Sequence, residues 1–331
     1  MTGTHKNDRF TELDGLRGIA ALLIVIYHYT YNYNRIWGYE IDIPHFFAYG
    51  SWGVPLFFII SGFVIFWSIL RQKKPATFAL SRFRRLYPPF WVALVISIPV
   101  VMLWGPENLR ANTDTSTLLM QFTMMQEYFG FRNFDGVFWT LTLELSFYFI
   151  ILNLAYFKQI EALDYWLIFW LLSTSVITLF NLNIPFWLTK LLIIKYNLFF
   201  AMGIAFYKIR QNIAGKSTYT LVALCILTAP LYNDAKATVA CYLLFSLFWL
   251  TTINKLKILS HPVLLFFGTI SYSLYLIHQN LGYTIIGKLL EHGIHPAVCI
   301  IIATTVSISL AYLMHKFIEQ PSGKLFRRKN G

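Results

Sequence analysis

The sequence predicts an all-α polytopic membrane protein with about ten transmembrane helices and both termini in the cytoplasm, and three observations lead there. Of the 331 residues, 57% are hydrophobic and only 13% charged, and mean hydropathy is +0.56. Apolar runs repeatedly approach the roughly 20 residues that cross a bilayer. They lack the alternation of a barrel strand, and open sheets cannot span lipid, so the runs read as helices. Third, about 20 of the 27 Lys and Arg fall on one set of alternate loops, the positive-inside pattern. A soluble core is excluded. The net charge of +12 is topological rather than a footprint for nucleic acid.

The spans lie at 17–34, 52–70, 86–104, 137–157, 164–180, 189–207, 219–232, 237–253, 263–281 and 296–317. Basic clusters close their inner ends: Arg71/Lys73/Lys74, Arg82/Arg84/Arg85, Lys208/Arg210/Lys216, Lys255/Lys257 and Lys324/Arg327/Arg328/Lys329. Met1 to Phe10 is polar and no small-residue cleavage site follows the first run, which is therefore expected to be retained. With no linker or low-complexity tract, residues 1–331 read as a single membrane domain. Thr11-x-x-Asp14 has capping-box spacing and places the first helix start. Two outer segments are long, Tyr29 to Gly50 and Gly105 to Gly136, and long loops tend to carry function or form lids. Their aromatic residues suit either sugar stacking or an interfacial belt, and Leu118 to Met125 reads as an interfacial stretch. Cys225, Cys241 and Cys299 lie in apolar runs without paired spacing, so neither a disulfide framework nor a metal site is expected.

Candidate chemistry lies in the polar residues placed inside spans. Arg17 and His28 are separated by eleven positions, about 16 Å and three turns, on nearly one helix face. Ionisable groups in lipid usually face a protein interior or a wet cavity. Histidine exchanges a proton near neutrality, so His28 is a candidate general base, against a bland role bonding a neighbouring helix. Arg17 suits an anion such as phosphate, or an ion pair with Asp14 three residues back. Gly15 and Gly18 flank it and leave room for a ligand or a close helix. Arg82 and Arg85, ahead of Tyr87 and two prolines, suit phosphate oxygens or lipid headgroups. Glu144, five residues after Trp139 in the fourth span, needs a partner there: Arg17, His28 or a substrate hydroxyl. Ser61 and His278 add polar groups at membrane depth, where helix contacts are the commoner use. Gly215-Lys216-Ser217 lacks the rest of a phosphate loop, and no nucleophile elbow or His-Glu-x-x-His helix occurs.

Taken in order, Asp14-Gly-Leu-Arg17-Gly, His28, Phe57-Phe-Ile-Ile-Ser61-Gly, Arg82-x-x-Arg85-Leu-Tyr87-Pro, Trp139-Thr-Leu-x-x-Glu144 and Ser271-Tyr-Ser-Leu-Tyr-x-x-His278 resemble the acyltransferase-3 family of membrane O-acyltransferases. The resemblance spans most of the chain; residues 160–260 add mainly hydrophobicity. It implies about ten helices in the cytoplasmic (inner) membrane of a bacterium and acyl transfer from acetyl-CoA, as co-substrate, to a hydroxyl. It makes Arg17 and His28 essential, with Arg82 and Arg85 contributing; a mechanism built on it has Arg82, Arg85 and Arg17 holding the donor phosphates and Glu144 orienting the imidazole or acceptor. Asp14, Ser61, Tyr87, Trp139 and His278 take structural or secondary parts, and no metal is implied. Expected partners are membrane lipids and a carbohydrate or glycolipid acceptor, such as O-antigen (lipopolysaccharide) or exopolysaccharide. No nucleic acid is expected, and a homo-oligomer is left open. The fused extracytoplasmic esterase-like domain of some relatives is not seen in this chain. The competing reading is a transporter or flippase for a glycolipid or small solute, against which no repeat between the two halves is recognisable.

Overall fold

The structure is a computed structural model that describes residues 10–324 apart from Lys73 and Asn112. The polar start of the chain and the basic cluster at Arg327, Arg328 and Lys329 lie outside the described residues, as does Lys73.

Ten helices of fourteen residues or more follow the predicted runs. They are α1 (Thr11–Tyr27), α2 (Gly53–Arg71), α3 (Pro75–Trp104), α4 (Trp139–Tyr156), α5 (Leu163–Leu179), α6 (Asn197–Arg210), α7 (Lys216–Tyr232), α8 (Ala235–Thr252), α9 (Pro262–Glu291) and α10 (Pro296–Met314). Five helical stretches are long and apolar enough to cross a membrane: His45–Arg71, Pro75–Trp104, Gly136–Tyr156, Ala235–Thr252 and Pro296–Gly323. The α9 helix misses that measure for a physical reason. Its 30 residues would reach about 45 Å, but it is wrapped by α1, α3 and α10. A helix surrounded by protein can carry Ser271, Ser273, His278, Gln279 and Asn280 inward, all buried, without exposing them to lipid.

Close backbone approach holds the centre together. A Cβ on Gly268 of α9 would sit 1.9 Å from the Asp14 carbonyl oxygen of α1, and one on Gly203 of α6 would sit 2.0 Å from that of Ile59 in α2. Gly18 meets Leu264 of α9 in the same way, so the room that Gly15 and Gly18 leave beside Arg17 is filled by a helix rather than a ligand.

Several boundaries depart from expectation. Phe10, not Thr11, is the N-cap of α1, and no side-chain cap forms; the Thr11 hydroxyl instead bonds Ser260, 2.8 Å away. Helix α1 does not stop at Tyr27 but runs on into the first outer segment. It continues through a π-helical stretch, His28–Asn32, into Tyr33–Trp37. The expected span 189–207 is two pieces, Phe186–Leu191 and α6, separated by turns. Within the break Ile193 is fully buried at φ 52°, a left-handed conformation costly for a β-branched residue. Packing enforces it: the Trp170 indole N–H donates to the Leu192 carbonyl at 2.8 Å.

The second outer segment is a folded cap, and the apolar side chains of Leu119, Phe122 and Met125 in the expected interfacial stretch are exposed. Its helix Thr115–Gln121 and the turn after it run back along α3. Tyr87 donates to the Thr123 carbonyl at 2.8 Å and Trp91 to that of Phe122 at 2.9 Å. Tyr87 is 17 residues from the Trp104 end of α3, so the cap inserts about 26 Å down that helix. Gln121 ties it together, donating to Thr117 and Arg132 carbonyls and accepting from the Phe134 amide. In the other half, Lys208 pairs with Asp164 at 2.6 Å while Ser217 and Thr218 donate to the same carboxylate, and Arg210 lies 3.7 Å from Glu12. Two expected inner-surface charges are thereby ties between helices.

Candidate active site

Two chambers lie inside the bundle, end to end along α1. The first is a narrow cavity of about 70 Å³ lined by Arg17, Ser61, Arg85, Thr140, Glu144, Ser271, Tyr272 and Tyr275, with Val54 and Phe57. Arg17 keeps Asp14 at 3.6 Å, so the expected ion pair and the cavity-facing role coexist. No described residue makes a hydrogen bond or ion pair with Arg85. Arg82, one turn earlier, does not line the cavity. Its guanidinium donates to Ser68 at 3.2 Å and Ser81 at 3.4 Å and lies over the Phe78 ring. Of the two arginines expected to act together, only Arg85 reaches the chamber.

Glu144 is in the first chamber, not beside His28. It accepts from Tyr148, one turn on in α4, and from Ser61 of α2 at 3.3 Å. The expectation that it orients the imidazole is corrected by position: its carboxylate shares a cavity with Arg17 and Arg85. Tyr87 also lies elsewhere, stacked on Phe83 and bonded to the cap.

The second chamber, about 570 Å³, is lined by His28, Tyr27, Asn32, Arg35, Trp52, Gly136, Trp139, Tyr196, Asn233 and Gln279, among others. Val54 and Tyr275 belong to both walls. The Tyr275 hydroxyl is held by Thr140 at 2.6 Å and donates toward the Val137 carbonyl at 3.1 Å, so this side chain stands at the junction. The second volume falls in the range of about 300–1,000 Å³ usual for small-molecule sites. The first admits only something thin.

His28 opens the π-helical stretch, a departure from α geometry that often marks functional positions. Its ring lies 4.9 Å from that of His278, and His278 Nε2 is 2.9 Å from His28 Nδ1. His28 Nδ1 also lies 3.0 Å from the Ile24 carbonyl. Trp139, in contact range of Tyr196 at 5.2 Å between centroids, forms an aromatic wall of the same chamber. Arg35 was not singled out in the sequence, although it follows His28 by seven residues, two turns on the same face. Gln279 was missed because the motif stopped one residue before it. Nothing local signalled Tyr275 as a divider.

The fold and these chambers define a helical membrane protein with a polar, two-compartment interior. A family profile described as an acyltransferase domain, acyltransferase-3, matches residues 10–316, and the chain belongs to that family. Among similar proteins is nodulation protein 10 of Rhizobium leguminosarum bv. viciae, 26% identical over 170 residues, 44% of each chain. Another is the peptidoglycan O-acetyltransferase OatA of Listeria monocytogenes, 26% identical over 155 residues, 42% of this chain and 23% of that one. The acyltransferase MdmB of Streptomyces mycarofaciens is 26% identical over 145 residues, 42% and 38% of the two chains. The matches thus span less than half the length of these relatives. No solved structure matches.

Proposed function

We propose that the protein is a membrane O-acetyltransferase that moves an acetyl group from acetyl-CoA to a hydroxyl of a cell-surface carbohydrate, such as O-antigen or exopolysaccharide, in the inner membrane of a bacterium. In this reading the ten helices span the bilayer with both termini in the cytoplasm. The observation that carries it is the pair of unequal chambers meeting at Val54 and Tyr275. Arg17 and Arg85 hold donor phosphate from the inner side. The thin pantetheine arm threads the narrow chamber and brings the thioester to the junction. A sugar occupies the wider chamber against Trp139 and Tyr196, with its hydroxyl at His28. His28 takes that proton as the oxygen attacks the thioester carbonyl; the carbon–sulfur bond breaks and the proton passes to the CoA thiolate. Base assistance of this kind typically supplies about 10²–10⁴-fold in rate. Glu144 balances the arginines when no donor is bound.

The deciding experiment compares surface glycans by mass spectrometry in cells carrying the wild-type protein, His28→Ala or no protein. An acetyl increment that requires the protein and His28 is expected. An increment that survives His28→Ala overturns the role of the base, and glycan flux without acetyl-CoA favours transport instead.

A further inference from the structure

We propose that His278 is a positioning residue that fixes the tautomer of His28 and leaves His28 Nε2 as a bare lone pair facing the wide chamber. The inference rests on the reading of His28 as general base and adds how that base is prepared. The argument begins at the buried end. His278 is fully buried in α9, and its Nδ1 lies 2.9 Å from the Tyr275 carbonyl and 3.1 Å from that of Leu274. Carbonyls only accept, so this nitrogen carries the hydrogen. A second hydrogen on the ring would bury a charge, for which no described carboxylate lies in contact. His278 Nε2 is therefore an acceptor.

The next ring follows from the first. His28 Nδ1 has two neighbours, the Ile24 carbonyl at 3.0 Å and His278 Nε2 at 2.9 Å, and both accept. Nδ1 of His28 must donate, and in a neutral ring its Nε2 then has no hydrogen. Among the described residues nothing bonds that nitrogen, while the side chain lines the wide chamber. The scaffold behind His278 is itself pinned, since Tyr29 donates to the His278 carbonyl at 2.6 Å and its oxygen is shared with Ser307 at 2.7 Å.

The arrangement has the logic of a catalytic triad with its carboxylate replaced by a neutral imidazole. When His28 Nε2 takes the hydroxyl proton, the Nδ1–H bond to His278 becomes charge-assisted, which strengthens it roughly twofold. His278 accepts no proton and touches no substrate.

The test uses three substitutions at one position. His278→Leu removes the acceptor, His278→Gln carries an oxygen out to about the reach of Nε2, and His278→Asn stops short. Inverted membrane vesicles from source cells lacking the gene and complemented with each variant are given radiolabelled acetyl-CoA, and label in glycan is followed. Expected are a fall in kcat of about 10²-fold for Leu with the acetyl-CoA KM within about twofold, recovery of at least about tenfold by Gln, and none by Asn. Should the Leu protein fail to accumulate, the Gln–Asn comparison carries the result. Undiminished kcat in the Leu variant, or equal loss in Gln and Asn, overturns the inference. His28→Ala runs alongside, and transfer that persists there overturns the general-base reading instead. Solid-state nitrogen NMR of histidine-labelled protein in lipid gives an answer independent of activity. Both rings, assigned by the variants, should carry hydrogen on Nδ1 alone, and a protonated Nε2 on neutral His28 overturns the inference.

Discussion

The arginine chamber holds about 70 Å³ between Arg17, Arg85, Glu144 and a set of hydroxyls, whereas the histidine chamber holds about 570 Å³ between aromatic rings, amides and one imidazole. They share Val54 and Tyr275 and differ in kind. The first is charged and slender, suited to gripping an anion and passing a chain. The second is wide and sparsely charged, suited to a bulky polyhydroxy ligand presenting one hydroxyl. On the proposed function, separate walls for donor and acceptor would let the phosphate grip stay away from the chemistry. The carboxylate Glu144 sits with the arginines and the histidines sit together, as that division would require.

Four substitutions sharpen or break this contrast, in order of expected size. His28→Ala should lower kcat for acetyl transfer by about 10²–10⁴-fold with CoA affinity intact; equal loss of CoA binding would merge the two chambers. Val54→Trp, which fills the junction, should cost about 10²-fold in transfer, as small misplacements can, while acetyl-CoA still binds in isothermal titration. Arg85→Gln should act the other way round. A hydrogen bond to a charged group contributes about 1.5–3 kcal/mol, so CoA affinity should weaken by about 10- to 150-fold with little change in saturated kcat. Arg82→Gln removes a guanidinium that stands outside the cavity and should cost no more than about fivefold in the same titration, or about 1 kcal/mol. If Arg82→Gln proves as damaging as Arg85→Gln, the donor site extends beyond the first chamber.

Much of this was legible in the residues. Hydropathy located all ten long helices to within a few residues at most ends, because lipid demands long apolar helical runs. The spacing of Arg17 and His28 placed both on one face of α1, and each lines a chamber. What escaped depends on distant partners. His278 contacts His28 across 250 residues, so only the folded chain shows that it, and not Glu144, stands behind the imidazole. The break before α6 falls in Leu192-Ile193-Ile194, which contains no glycine or proline and reads as uninterrupted helix; tertiary packing overrides that local preference. The extension of α3 and α9 beyond their apolar cores was hidden for the opposite reason. Their extra turns mix apolar residues with Arg82, Arg84 and Arg85 in α3 and with Thr284, Lys288 and Glu291 in α9, so the apolar run fades before the helix ends.

The π-helical stretch at His28–Asn32 has a consequence for how this chain tolerates deletion. A π segment is an α-helix carrying one surplus residue, so losing one there heals the helix instead of breaking it. Deletion of Tyr31 should leave a protein that melts no lower, and by removing irregular hydrogen bonding even higher, yet no longer transfers acetyl groups. The helix beyond the repair would keep nearly its present direction, because the wide turn absorbs the surplus residue, and the change would fall on the repaired turn itself, where His28, now on the wall of the wide chamber, would be redirected. Catalysis here would then depend on an imperfection that selection for stability alone would erase.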